Sequence, residues 1–172
     1  MVSVSLMKPM TESEIRRSFV NCTQGEAKRL NIPRDLAELP WGDLDFLGWR
    51  DPSAPDRGHL VVPGAEGEPP VGIALRTSTG PRNATHRGLC SICLTTHPGT
   101  GVHLMAARKA GTAGREGNSV GVYICADLAC PLYARRLRKP QGVNAAQETL
   151  SNEERVARMM TRMAEFVDRV RS

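Results

Sequence analysis

Two pairs of cysteines constrain the fold of this 172-residue chain more than any other feature. Two residues separate Cys90 from Cys93, and four separate Cys125 from Cys130. A thiolate is a soft, charged ligand, and Zn²⁺ in structural sites binds four such ligands in a tetrahedron. The two pairs therefore predict a closed zinc site, with one tight turn presenting Cys90 and Cys93 and a distant part of the chain completing the shell. Four protein ligands leave no coordination position for a catalytic water.

Other uses of paired cysteines stay open at this point: a disulfide, a thioredoxin-like redox pair, and an iron–sulfur cluster. The N-terminal residues 1–8 lack the apolar segment of a secretory signal. Paired cysteines in an intracellular chain favour a metal over a disulfide. Cys90 and Cys93 also lack the βαβ setting of a redox motif. A cluster could use the same four ligands. The fifth cysteine, Cys22, is predicted to be a small buried or half-buried residue.

Composition favours a soluble, cytoplasmic binding protein. Aromatic residues make up only 4% of the chain, so the core must be mainly aliphatic, and a metal would help to stabilise it. No run approaches the roughly 18 apolar residues that span a bilayer, and no membrane contact is expected. The net charge of +5 suits an anionic partner such as ribosomal RNA or an acidic protein surface. No P-loop, Rossmann glycine pattern or H-E-x-x-H motif is present, so neither enzymatic activity nor a small-molecule substrate is expected.

Periodicity and turn residues predict several short strands joined by loops, with helices near both ends. Predicted strands occupy residues 58–62, 71–76, 101–108 and 119–124. Predicted loops occupy residues 63–70, 77–88 and 109–118. Predicted helices occupy residues 11–30, 128–138 and 151–171. The first and last helices open with capping boxes, formed by Thr11 with Glu14 and by Ser151 with Glu154.

An aromatic segment, residues 41–49, lies between the first helix and the strands. It holds three of the seven aromatic residues, Trp41, Phe46 and Trp49. The segment is predicted to be a loop, and its aromatic side chains either anchor that loop to the core or form an exposed docking patch. Asp43, Asp45 and Asp51 are expected to cap turns rather than to catalyse a reaction.

The order of elements predicts a treble-clef zinc finger in an α+β fold. A cysteine knuckle is followed by a β-hairpin and then by a helix with the second cysteine pair at its start. Thiolates at a helix N-terminus lie near free backbone N–H groups and the positive end of the helix dipole. We expect a small antiparallel sheet with flanking helices in three parts: an N-terminal helical segment, 1–38; the zinc-finger domain, 39–142; and an amphipathic helix packed on it, 143–172.

A basic run on the predicted helix after the second cysteine pair is a candidate partner site. It could dock to phosphates or to acidic side chains, or it could be a solvated face that balances the charge of the thiolates. The candidate residues are Tyr133, Arg135, Arg136, Arg138 and Lys139. His97 and His103 follow the knuckle, but with four cysteines available they are expected to be surface or strand residues rather than ligands.

The cysteine pattern, the hairpin and the motif at 122–130 resemble the C-terminal treble-clef domain of the elongation factor G-binding proteins, the FusB-type fusidic-acid-resistance proteins. The segment 39–51, which contains the aromatic residues, is similar to the start of the same domain. The resemblance covers roughly residues 20 to 135.

The resemblance implies that Cys90, Cys93, Cys125 and Cys130 bind zinc and that the zinc domain binds elongation factor G. Family members promote release of the factor from ribosomes stalled by fusidic acid, and they make and break no bonds. Members that confer resistance carry an N-terminal helical bundle, whereas the 40 residues before Trp41 leave room for one helix of ordinary length. We therefore expect binding of the factor more than ribosome release. The alternative is a zinc-stabilised module that binds RNA or the ribosome.

Overall fold

A five-stranded antiparallel sheet forms the centre of the computed structural model, which describes residues 6–77, 88–141 and 148–172. The strand order is β1-β2-β3-β6-β7. These strands are β1 (Leu47–Asp51), β2 (Ala54–Val62), β3 (Val71–Thr77), β6 (Val102–Arg108) and β7 (Ser119–Cys125). Between β3 and β6, two-residue strands β4 (Gly88–Leu89) and β5 (Thr96–His97) pair with each other. The small antiparallel sheet of an α+β fold is confirmed, and the loop at 63–70 joins β2 to β3 as predicted.

The two faces of the sheet pack against different parts of the chain. The inner face, which carries Leu60, Ile73 and Met105, shares one core with the four clustered cysteines and the C-terminal helix. The outer face carries Trp49 and packs at the β1 end against the N-terminal segment in a second core. The alternation of buried and exposed residues along β6 follows from this arrangement, because successive side chains of a strand point to opposite faces.

The C-terminal helix, α5 (Asn152–Arg171), begins at the predicted capping box of Ser151 and Glu154. Met159, Met163 and Phe166 recur at three- and four-residue steps and are fully buried. One face of α5 therefore closes the core beneath the sheet. No helix in the described parts of the chain is long and apolar enough to span a membrane.

The prediction of one helix over 11–30 is wrong, because two short helices occupy that segment: α1 (Glu12–Ser18) and α2 (Gln24–Arg29). The chain leaves α1 at Phe19, which forms a parallel bridge with Gly72 of β3. A Cβ at Gly72 would lie 3.0 Å from the Phe19 ring and 2.5 Å from the Ser18 hydroxyl, so this approach requires glycine. A second capping box, Thr23 with Glu26, then starts α2.

The aromatic segment anchors to the core, and its end is a strand rather than a loop. Trp41, Phe46 and Trp49 are all buried. The indole N–H of Trp41 donates to the Leu36 carbonyl at 2.7 Å, so burial leaves that donor satisfied. The prediction of a loop throughout 41–49 is wrong, because β1 begins at Leu47 and pairs with β2.

Other predicted boundaries also shift. Strand β2 begins at Ala54, four residues before the predicted start at 58. The glycine-rich turn at 109–118 contains a short helix, α3 (Gly111–Arg115). The helix predicted over 128–138 is only α4 (Cys130–Ala134), because Leu128 and Arg136 adopt positive φ angles at either side of it. Most of the predicted connector 77–88 and the predicted domain boundary at 142/143 lie outside the described residues.

Candidate metal centre

The sulfur atoms of Cys90, Cys93, Cys125 and Cys130 all lie within 4.8 Å of one another, and all four residues are buried. The Sγ atoms of Cys90 and Cys130 are 3.7 Å apart, and those of Cys93 and Cys125 are 3.5 Å apart. A tetrahedral zinc ion with Zn–S distances of about 2.3 Å places its sulfurs about 3.8 Å apart. A disulfide would need about 2.05 Å, and none of the five cysteines, all of which the structure describes, forms one. The cluster fits one tetrahedral ion.

The first cysteine pair is presented by a tight knuckle between β4 and β5. The Cys90 N–H donates to the Thr95 carbonyl, and Leu94, with a φ of 59°, reverses the chain. The backbone N–H groups of Ile92 and Cys93 each donate to the Cys90 sulfur at 3.4 Å. These bonds stabilise a thiolate, and they come from the knuckle rather than from the N-terminus of α4.

The second pair is presented by the end of β7 and the start of α4. The four residues between Cys125 and Cys130 form a compact reversal in which the Leu128 N–H donates to the Cys125 carbonyl at 2.9 Å. Leu128 has a φ of 57°. Its carbonyl oxygen packs so closely against Gly48 of β1 that a Cβ at position 48 would lie only 2.4 Å away, so this contact requires glycine. The unusually wide spacing of this pair thus forms a defined loop that returns Cys130 to Cys125.

The electrostatics of the cluster favour a cation. Burial raises the pKa of the Cys130 thiol well above its ordinary value. Hydrogen bonds from Cys125 and Cys130 lower the pKa of the Cys90 thiol below its ordinary value. A buried group of four sulfurs cannot hold several negative charges unless a positive ion compensates them. Zinc binding supplies that charge, keeps the four sulfurs as thiolates and releases their protons.

A second set of residues orients the ligands, and sequence reasoning missed its first member. His97 is the strand residue that was expected, but it is buried, and its Nε2 lies 3.3 Å from the Cys125 sulfur. The Tyr133 ring packs edge-on against the His97 ring, with centroids 4.6 Å apart. The Tyr133 hydroxyl donates to Asp127 at 2.8 Å. The position of His97 four residues after Cys93 was the available signal. Residues that contact ligands in this way fix their orientation.

The predicted partner residues divide into two groups. Arg135 makes a two-pronged ion pair with the fully buried Asp45, at 2.8 and 3.2 Å, and Arg138 pairs with Asp127 at 3.1 Å. Arg136 and Lys139 are exposed, and neither makes an ion pair with a residue that the structure describes. The basic run follows α4 rather than lying on it, so the predicted basic helix is wrong. A partner-binding role for the run stays a prediction.

Among the exposed apolar residues near the metal centre, a pair that faces each other across the hairpin of β6 and β7 was not singled out from the sequence. Leu104 of β6 and Tyr123 of β7 are direct partners across the hairpin, and they are 39% and 55% exposed. The Tyr123 carbonyl accepts a hydrogen bond from Ser91 of the knuckle, which fixes this end of the hairpin to the zinc site. Strand alternation places both side chains on the outer face, and this was the available signal.

Comparison with known proteins identifies one family. The profile of a family described as the FBP C-terminal treble-clef zinc-finger matches residues 14–170. No curated protein and no solved structure shows significant similarity to the chain. The matched region contains the whole described sheet, the cysteine cluster and nearly all of α5, and the FusB-type family that it represents is not a known enzyme family. The chain therefore belongs to the FusB-type treble-clef zinc-finger family, and its four-cysteine centre is a zinc site.

Proposed function

We propose that this chain is a non-enzymatic, cytoplasmic zinc protein that binds translation elongation factor G; release of the factor from the ribosome is the further activity that the family suggests. Membership of the FusB-type family over residues 14–170 is the observation that carries this proposal. The metal chemistry agrees with it, because a buried ion with four thiolate ligands stabilises a fold and has no open position for a reacting molecule. The zinc centre then acts by holding a protein-binding surface rigid.

The surface around Leu104 and Tyr123 is the strongest candidate for contact with the factor. Exposed apolar and aromatic side chains on a rigid hairpin are typical of protein interfaces. The basic residues Arg136, Arg138 and Lys139 add positive charge on the segment that follows α4 and would contact acidic groups at the rim of the interface. Arg135 contributes indirectly, because its ion pair with Asp45 fixes the start of this segment to the core.

Calorimetric titration of the zinc-loaded chain into elongation factor G tests the proposal. We expect 1:1 binding with a Kd of about 1 μM or tighter. The double variant Leu104→Ala with Tyr123→Ala should weaken binding, because aromatic anchors carry much of the energy of an interface. Leu6→Ala is the matched control, since Leu6 is 43% exposed and lies outside the zinc finger.

A triple variant, Arg136→Gln with Arg138→Gln and Lys139→Gln, tests the basic segment in the same titration. It should weaken binding mainly at low salt, because rim charges act through screened electrostatics. Absence of binding by the wild-type chain would contradict the proposed function. If binding is confirmed, release of the factor from stalled ribosomes is the next assay.

A further inference from the structure

A cleft of about 460 Å³ opens on the outer face of the sheet, between α2 and the strands β2, β3 and β6. Its lining contains four arginines and two acidic residues, which gives an excess of two positive charges. The charged residues are Arg29, Arg57, Arg76, Arg108, Glu26 and Asp51. Nothing in the zinc centre or in the proposed contact with elongation factor G uses this cleft.

The arginines form a row across three neighbouring strands. Arg57 of β2 and Arg76 of β3 are direct cross-strand partners. Arg76 in turn faces Ala106 of β6, so Arg108 lies two residues further along the same face. Like charges that are directly opposite on a sheet destabilise it. The row thus carries a local electrostatic cost that a bound anion would relieve.

The charges of these arginines are not neutralised within the described parts of the chain. Arg57, Arg76 and Arg108 are exposed, and none makes an ion pair with a described residue. The two acids of the cleft have partners of their own. Asp51 accepts hydrogen bonds from Asn31 and Ser53, and Glu26 accepts one from the Thr23 N–H.

A buried polar group at the cleft also lacks a partner. His59 lines the cleft and is 2% exposed, and its Nδ1 has no hydrogen-bond partner among the described residues. Its ring lies against Trp49 at a centroid distance of 5.0 Å and against the edge of Phe19 at 5.9 Å. The cleft therefore offers no free aromatic face on which a nucleobase could stack, so its chemistry suits phosphate groups rather than bases.

The positive surface continues beyond this cleft. An adjoining cleft of about 260 Å³ is lined by Arg108, Lys109 and Arg115. Because neighbouring strands are about 4.8 Å apart, the arginines on β2, β3 and β6 together span about 10 Å. That span accommodates a few phosphates of one strand, whereas a double-stranded RNA binder must contact two successive grooves.

We propose that this arginine cleft binds the phosphodiester backbone of single-stranded nucleic acid, with little preference for base sequence. Arg57, Arg76 and Arg108 would contact successive phosphates, and each contact would release condensed counterions. The site lies on the same sheet face as Leu104 and Tyr123, but Arg108 is four positions after Leu104 along β6, which is a distance of about 13 Å. The two surfaces can therefore be tested separately.

Fluorescence anisotropy with labelled 12-nucleotide oligo(U) and oligo(dT) tests the proposal over a range of salt concentrations. The wild-type, zinc-loaded chain should bind, and the logarithm of its affinity should fall linearly with the logarithm of salt. The triple variant Arg57→Gln, Arg76→Gln and Arg108→Gln should lose tenfold or more in affinity. Its salt slope should fall by about 2, since each single-strand phosphate contact contributes about 0.7. Binding of RNA alone would show that the 2′-hydroxyl is read, and equal binding of both would show that the backbone suffices; either supports the site.

The control variant, Arg34→Gln, Arg169→Gln and Arg171→Gln, removes the same charge from exposed positions elsewhere and should retain the wild-type slope. Neither variant should lower the thermal midpoint, since these arginines are exposed and the cleft variant removes the repulsion between Arg57 and Arg76. Equal slopes for the two variants, or no binding by the wild-type chain, would overturn the proposal. A triple variant that loses elongation factor G but not nucleic acid would reassign the arginines to the protein partner. If the factor fails to bind while the oligonucleotide results hold, only the proposed function fails.

Discussion

Replacing Asp45 by asparagine should destabilise the fold more than any other single loss of an ion pair among the described residues. Asp45 is fully buried, and its carboxylate accepts two hydrogen bonds from the Arg135 guanidinium. The pair joins the segment before β1 to the residue that follows α4, 90 positions later in the chain. Asparagine preserves the shape of the side chain but leaves the arginine charge without its partner.

The magnitude follows from burial. Breaking a buried ion pair by removing one partner costs about 3–5 kcal/mol, because the remaining charge is uncompensated. The Arg135 side chain is 22% exposed, so water partly solvates the guanidinium, and the lower end of that range applies. A loss of about 3 kcal/mol should lower the thermal midpoint by about 6–12 °C in a chain of this size.

Thermal unfolding followed by circular dichroism, on the zinc-loaded protein, measures this loss. Arg138→Gln is the matched control, because the pair of Arg138 with Asp127 is 49% and 39% exposed and should contribute no more than about 0.5 kcal/mol. Combining Asp45→Asn with Arg135→Met should cost less than the sum of the single changes, with a coupling of about 2 kcal/mol. A cost below about 1 kcal/mol for Asp45→Asn, or strict additivity, would refute the reasoning.

Three further predictions concern the rest of the fold. Burial lowers the pKa of His59 from 6.5 to about 4. As the pH falls below 6.5, this histidine takes up a proton in the unfolded chain but stays neutral in the folded one. Its contribution to the free energy of unfolding is therefore fully present above pH 6.5 and falls by up to about 3 kcal/mol towards pH 4. Chemical denaturation of His59→Phe should show a shallower loss over that window, and an unchanged slope would contradict this. Met163→Ala, at a fully buried position of α5, should cost about 2–5 kcal/mol, whereas Met160→Ala at a half-buried position should cost clearly less; equal denaturation midpoints would count against the packing of α5. Ser151→Ala should cost about 1 kcal/mol by removing the cap of α5, and Ser151→Gly should recover most of it; no loss would contradict the capping box.

Local chemistry made several features predictable from the sequence. The spacing of the four cysteines predicted the buried cluster, because two closely spaced pairs of thiols are typical of a four-thiolate zinc site. The capping boxes at Thr11 and Ser151 gave the starts of α1 and α5, since each depends on only four neighbouring residues. Alternation along β6 and β7 gave the hairpin.

Features that depend on contacts between residues far apart in the chain could not be predicted from the local sequence. Phe19 ends α1 because it docks beside Gly72, which lies 53 residues later. Strand β1 is short and contains Gly48, and its pairing with β2 is what makes it a strand. Arg135 is part of a basic run that the sequence predicts either to bind a partner or to be solvated, whereas the fold places Asp45 beside it. The capping box of Thr23 and Glu26 is, by contrast, a local signal for the start of α2. The helical spacing of apolar residues across 11–30 favoured a single helix instead.

The zinc content of the chain and of two cysteine variants is the most direct test of the account. We predict one zinc per chain by native mass spectrometry, loss of the metal in Cys130→Ser, and full retention in Cys22→Ser, because Cys22 lies outside the cluster. Chelation of the wild-type protein should lower the thermal midpoint and raise hydrogen exchange first around the knuckle and α4. A chain that carries no zinc, or that keeps its midpoint and its exchange pattern after chelation, would contradict the claim that a four-thiolate zinc centre holds this fold together.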